Sequence, residues 1–478
     1  MIILNAIAGL PLIAPEVFIL SMTLLVMMVD LFMPKTASIS PAYVLTQVTL
    51  ILAFILLLIL GFGGFFEGQF LADRLSFLLG LGVVLSGFFS FFYGKQYHDL
   101  HRIAEGEFYS LGLLSILGAL VLVSSASLLT LYLGLELLSL PLYALIALRR
   151  DSIHSVEAAM KYFVMGSIAS AFLLYGFSLI YGLTGSFELS VLAQQSIIFS
   201  PPVLCALMFM LLAVGFKLGV VPFHAWVADG YQGSPTSVTI FLGTIPKIAA
   251  LGLFFRLFTE TFASMQTHWA PVLIMLGIAS LFIGNMLAIA QTNLKRLLAY
   301  STIAHMGFLF LALGMGNAEA NHAALFYLAA YLVSVLAAFG LILFMSRLGT
   351  DADTLEDLKG LNRNHPWLSF MFLLVILSMA GVPPLLGFDA KLFILKALLQ
   401  EHHLGLLLYA LVMSVIAMGY YLRVIKVIYF DESGLNAHFA SQNRDKLSVF
   451  NGTGLVLSLN SLLLLILGIF PNGFYEWF

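Results

Sequence analysis

The sequence predicts an all-α polytopic membrane protein of about 14 transmembrane helices, arranged as two inverted five-helix repeats with broken seventh and twelfth helices. Three observations predict it. Of 478 residues, 61% are hydrophobic and 9% charged, with a mean hydropathy of +1.04, whereas a soluble domain carries about 25% charged residues. Apolar runs of about 20 residues, enough to cross roughly 30 Å of hydrocarbon, recur from end to end. Lipid offers backbone groups no hydrogen-bond partner, so those runs must be helices.

The same composition excludes several classes. The single cysteine, Cys205, rules out an iron–sulfur cluster or a disulfide framework on this chain. A formal charge of -3 without a basic patch gives nucleic acid nothing to bind. No basic region precedes the first apolar run and no cleavage site follows it, so that run is expected to stay as a span.

In order, the spans fall near 12–33, 41–62, 71–94, 108–125, 126–147, 155–183, 201–229, 235–260, 270–291, 297–316, 321–346, 366–400, 403–430 and 446–471. Proline interrupts the seventh and the twelfth. The largest polar loops are 95–107, 347–365 and 431–446. The expected organisation is a three-helix segment (1–107), a first repeat (108–265), a second, inverted repeat (266–432) and a C-terminal helix (433–478).

Basic residues test this count, because they gather in loops on the cytoplasmic side. Lys35 lies in the first loop, Lys95 and Arg102 in the third, and Arg149 and Arg150 in the fifth. Lys295 and Arg296 lie in the ninth, Arg347, Lys359 and Arg363 in the eleventh, and Arg444 and Lys446 in the thirteenth. Arg74 is the exception among even-numbered loops. Both termini are therefore expected on the periplasmic side.

The repeat shows in the sixth span, Glu157-Ala158-Ala159-Met160-Lys161-Tyr162, and the eleventh, His322-Ala323-Ala324-Leu325-Phe326-Tyr327. The breaks Val221-Pro222-Phe223 and Val382-Pro383-Pro384 follow at a similar distance. An odd number of helices per unit forces inversion, and inverted repeats with broken helices point to an ion pathway near the midplane. Packing faces are expected at small residues such as Gly166, Ser167, Ala169 and Ser170.

The chemistry lies in charges inside spans. Glu136, Lys217, Lys247 and Lys391 all sit there, where a central charge costs about 2.5–3.5 kcal/mol on insertion scales. Each has a proline nearby, and proline frees the carbonyl four residues back. Pro141 frees Leu137, Pro222 frees Leu218, Pro246 frees Leu242, and Pro383 and Pro384 free Met379 and Ala380. Such carbonyls can hold water or a protonated amine. Burial disfavours the charged form of an amine and a nearby carboxylate favours it. A Glu136–Lys217 pair that closes and opens would therefore take up and release a proton. Sodium fits less well, since ammonium groups cannot coordinate a cation that needs several oxygens.

Weaker candidates surround these. His305 lies mid-helix in the tenth span and could relay protons or be a satisfied structural histidine; His224 is similarly ambiguous. Glu157 and Lys161, one turn apart, read as a path element or a local ion pair. Lys295 and Arg296 read as a topological anchor before a relay, with Lys295 kept as a secondary proton-path candidate, and Arg256 and Lys396 as snorkelling side chains.

These residues also resemble a known family. Gly215-Phe216-Lys217-Leu218-Gly219-Val220-Val221-Pro222-Phe223-His224-Ala225-Trp226 resembles the broken seventh helix of the antiporter-like subunits of complex I, the proton-translocating NADH–quinone oxidoreductase. The run from Asn293-Leu294-Lys295-Arg296 to Ser301-Thr302-Ile303-Ala304-His305-Met306-Gly307 resembles their tenth-helix motif. Leu135-Glu136-Leu137-Leu138-Ser139-Leu140-Pro141, Tyr231-Gln232-Gly233-Ser234-Pro235-Thr236, Pro246-Lys247, the chain length and a lysine on the twelfth helix narrow the resemblance to one member.

The resemblance implies roles. Glu136 would modulate Lys217, the central proton carrier. Lys247 and His305 would relay along the membrane axis, and Lys391 would connect to the opposite side. It implies no cofactor and no metal on this chain, with FMN, iron–sulfur clusters and quinone on other subunits. Expected partners are a neighbouring antiporter-like subunit, the small helical subunits leading to the quinone site, and the bilayer of a bacterial inner membrane. Asp389, in Gly387-Phe388-Asp389-Ala390-Lys391, departs from the apolar residue usual in the family and could pair with a neighbouring charge. Two other function classes compete: a subunit of a cation/proton antiporter or membrane-bound hydrogenase complex, and a stand-alone solute transporter. Charges spread over many helices, rather than around one concave pocket, speak against the last.

Overall fold

A computed structural model describes residues 10–32, 40–66, 68–101, 103, 105–195, 198–346, 351–432 and 452–477. Lys35, Arg102, Arg347, Arg444 and Lys446 lie outside the described residues.

Among the described residues, thirteen helical segments are long and apolar enough to cross a membrane. The chain is a multi-pass membrane protein. The helices are α1 (Ala14–Phe32), α2 (Pro41–Leu60), α3 (Arg74–His101), α4 (Glu105–Val123), α5 (Leu128–Ile146), α6 (Ile153–Thr184), α7 (Pro201–Leu218), α8 (Ala225–Gly233), α9 (Thr236–Gly243), α10 (Ile245–Phe254), α11 (Gln266–Ile289), α12 (Leu294–Leu313), α13 (Ala318–Met345), α14 (Pro366–Ala380), α15 (Leu386–Gln400), α16 (Leu404–Tyr429) and α17 (Gly452–Ile469). Both expected breaks are present: α7 and α8 flank Val221-Pro222, and α14 and α15 flank Pro383-Pro384. Each half of the twelfth span has 15 residues, too short to cross alone.

In secondary structure, two details differ from expectation. The eighth span is also interrupted. α9 stops at Thr244, α10 restarts with Pro246 in its first turn, and residues Phe255–Thr261 wind as a π-helix. Pro246 cannot supply the amide a continuous helix needs there. The second difference is a short antiparallel hairpin, β1 (Gly64–Phe66) and β2 (Phe70–Ala72), where the alternating pattern is too brief to signal strands. It is stitched to the α4–α5 turn, with Leu71 N–H donating to Ser124 O at 2.7 Å and Ala126 N–H to Gln69 O at 2.9 Å.

The chain forms two compact units, residues 1–92, 103–218 and 233–269 in the first and 93–102, 219–232 and 270–478 in the second. In the first, α4 and α5 meet backbone to backbone. A Cβ on Gly118 would lie 2.2 Å from Leu138 N, and one on Gly134 would lie 2.7 Å from Leu122 N. This is the small-residue contact that membrane helices use. Gly166, Ala169 and Ser170 are buried as expected, whereas Ser167 faces outward. In the second unit α11 and α12 repeat the contact, Gly307 on Gly277 O and Gly284 on Ala304 N.

Arg256 does not snorkel. It is fully buried and donates to Asp73 at 2.7 Å through both terminal nitrogens, to Glu260 at 3.0 Å and to Val123 O. The outer helix end supplies two carboxylates and a carbonyl, so the guanidinium has no need to reach water. Lys396 does reach an exposed end, where it pairs with Glu319 at 3.3 Å.

Candidate functional site

The first unit holds Glu136, Lys217 and Lys247. Proline and glycine end α7 at Leu218: Gly219 takes a positive φ of 80°, and Pro222 lies four residues past Leu218. A helix end leaves its last carbonyls without partners. Lys247 supplies them, its Nζ donating to Lys217 O at 3.0 Å and Leu218 O at 2.9 Å. A cation there also suits the negative end of the helix dipole.

One turn of α7 presents Lys217 to α5, where Glu136, Ser139 and Tyr143 share a face by helical spacing. Lys217 is buried and donates to Ser139 Oγ at 2.6 Å. Its ammonium lies 5.5 Å from the Tyr162 ring centre and 5.9 Å from that of Tyr143. Glu136 forms no contact ion pair with it here, and Glu136 Oε1 is buried without a hydrogen-bond partner.

The second unit holds the remaining candidates. The α14 break uses Gly381 at φ 86°, and a Cβ there would strike Lys391 Cδ at 2.9 Å, so the turn and the lysine share one requirement for glycine. Lys391 is buried, donates to Ala380 O at 2.7 Å and lies 5.5 Å from the Phe308 ring centre. Ala380 is the residue four before Pro384, so that carbonyl is one that proline leaves free.

His305, on α12, is held from both sides. Nδ1 meets Tyr327 Oη at 2.6 Å and Nε2 meets Tyr421 Oη at 3.1 Å. Tyr421 Oη also bonds Ser301 Oγ, and Tyr331 donates to Thr302 Oγ1 at 2.9 Å. A cavity with room for about one water molecule is lined by His305, Tyr327, Tyr331, Ser334, Ser378 and Gly387.

The secondary candidates separate. Glu157 and Lys161 form an exposed ion pair of 2.7 Å. His224 is half-buried, with Nδ1 lacking a hydrogen-bond partner. Lys295 is buried, while its neighbour Arg296 pairs with Asp229 at 2.9 Å and Gln232 at 3.1 Å, tying α8 to α12. Among the described residues Asp389 forms no ion pair, and its Oδ2 is buried without a hydrogen bond. Among the described residues, no cluster of three or more His, Cys, Asp or Glu could hold a metal.

Sequence reasoning missed the hydroxyl groups, Ser139, Ser301, Tyr327 and Tyr421. Ser139 had a signal, since it lies three residues after Glu136 on the same face. The tyrosines had none among 18 tyrosines and 42 phenylalanines.

The family described as NADH:quinone oxidoreductase/Mrp antiporter matches residues 125–417, which include all five principal candidates. NADH-quinone oxidoreductase subunit N of Thioalkalivibrio sulfidiphilus is 44% identical over 465 residues, 96% of this chain and 95% of that protein. The protein of that name in Coxiella burnetii is 44% identical over 476 residues, 96% of each chain. A chain in the structure of respiratory complex I from Thermus thermophilus with bound aureothin is 32% identical. Its TM-score is 0.79, over 97% of this chain and 98% of that one.

Proposed function

The chain belongs to the NADH:quinone oxidoreductase/Mrp antiporter membrane family, and from that premise we propose that it is subunit N of an NADH-quinone oxidoreductase, translocating protons as quinone is reduced. Relatives of that name match almost its whole length, which favours this reading over a cation/proton antiporter or hydrogenase subunit. Glu136, Lys217, Lys247, His305 and Lys391 carry the protons. The observation behind this is that Lys217 and Lys391 are buried on neutral oxygens, a serine hydroxyl and a helix-end carbonyl, and form no ion pair among the described residues. Lysines kept only for structural pairing would face carboxylates. On a neutral partner, an ammonium can lose its proton without stranding a counter-charge.

Electron transfer belongs to other subunits, which carry FMN, iron–sulfur clusters and the quinone site. One cysteine could not hold a cluster here. Glu157 with Lys161, His224, Lys295 and Asp389 are accessory positions of the proton path. The partners are a neighbouring antiporter-like subunit and the small helical subunits. The setting is a bacterial inner membrane with both termini periplasmic, in keeping with the basic loops and the bacterial relatives.

Lys217→Ala tests the reading. In membranes where a native gel shows full assembly, NADH–quinone turnover and proton uptake are both expected to be lost. Normal turnover with normal proton yield would refute the role.

A further inference from the structure

Lys217 has two possible partners on one helix face, and only one of them was visible as a charge. Glu136 and Ser139 are three residues apart on α5, which places their Cβ atoms about 5–6 Å from each other. A lysine side chain, with four rotatable bonds in staggered wells, is long enough to cover a separation of that size by changing rotamer. In this structure the amine is on the serine.

The serine is prepared for the task. A hydroxyl has one proton to donate and two lone pairs to accept with. Ser139 Oγ spends its proton on Leu135 O, one turn back. Its oxygen therefore meets Lys217 as an acceptor. Hydroxyls that bond back to the carbonyl four residues earlier are common in helices and need no function. Ser139 differs in that the second side of its oxygen is taken by a buried ammonium, 2.6 Å away.

We propose that Ser139 is a positioning residue that holds the Lys217 amine whenever it is separated from Glu136, so that the lysine alternates between a neutral and a charged partner on α5. The inference rests on the proposed proton-carrying role of Lys217. The groups facing the amine are Glu136 and Tyr143 from α5, Tyr162 from α6 and, through Lys217 O, the ammonium of Lys247 from α10. With Ser139 removed, Glu136 remains as the amine's partner of choice, and its proton is released later as pH rises.

The test uses the assembled complex in membranes, with NADH–quinone turnover and proton uptake followed against pH. Ser139→Ala is expected to lower coupled turnover several-fold. It should also move the alkaline limb of the profile up by about one pH unit, because a carboxylate replaces a neutral oxygen as the ammonium's acceptor. Ser139→Thr, which keeps the hydroxyl, should restore both. An assembled Ser139→Ala complex with wild-type turnover and an unmoved limb overturns the proposal. If Ser139→Ala does not assemble, Ser139→Cys decides by the same two readings, since a thiol is a poor acceptor of similar size. Lys217→Ala separates the levels. A normal phenotype there sinks the whole site, whereas loss there with a wild-type Ser139→Ala sinks only the serine's part.

Discussion

At the scale of single residues, oxygen atoms decide what each buried cation does. Arg256 is held by two carboxylates, whereas Lys217 rests on a hydroxyl. Burial alone would push the Asp73 carboxyl up, and the Arg256 guanidinium with Ser76 holds it below the usual aspartate range. A lowered folded value means that Asp73 contributes stability above the ordinary aspartate range and loses it as pH falls through the folded value. Asp73→Asn is therefore expected to flatten the acid side of a thermal-stability profile in detergent. Arg256→Met should cost about 1–3 kcal/mol, discounted because both carboxylates are partly exposed; a melting curve at neutral pH measures it. The principal charges were legible in the sequence because charge is rare in apolar spans. Arg256 was misread because Asp73, which takes both terminal nitrogens, is 183 positions away; Glu260, one turn on, gave only a partial local signal. Ser139 was passed over because a serine in a membrane helix is ordinary.

At the scale of elements, the breaks were legible and the close packing was partly so. Proline marks the ends of α7 and α14 because it lacks an amide and clashes one turn back. The stop between α9 and α10 escaped notice because its proline sits in the first turn of a new helix, a position proline tolerates. Among 40 glycines, nothing in the sequence says which touch backbone. Gly118 does, against the stretch of α5 that leads to Ser139. Gly118→Ala should push α5 outward at Leu137 and Leu138, at a cost of about 1–3 kcal/mol. We expect lower assembly on a native gel and lower turnover per assembled complex. Ala119→Gly, on a neighbouring position of the same helix, should show neither beyond a helix-propensity effect of about 1 kcal/mol.

At the scale of the whole molecule, the order of spans came through from hydropathy alone, with thirteen described segments of membrane length and the expected twelfth span present as two short halves, while the path of the chain did not. The proposed sidedness can be checked by labelling. In a Cys205→Ser background, a cysteine at His402 should react with a membrane-impermeant maleimide in intact cells, and one at Lys359 only after permeabilisation. The reverse pattern would turn the topology over. The two units are also interleaved along the chain, since residues 93–102 and 219–232 belong with the segment after 270. That has a consequence for biosynthesis. The ribosome makes His101 long before Ser346, whose carbonyl it contacts at 3.1 Å, and Val221 before Ser280, which accepts its amide at 2.9 Å. At about 5–20 residues per second the first wait lasts on the order of ten seconds or more. Throughout that interval one side of the contact waits for the other, and cutting the gene between codons 269 and 270 would leave the second product without residues 93–102 and 219–232 of its own unit.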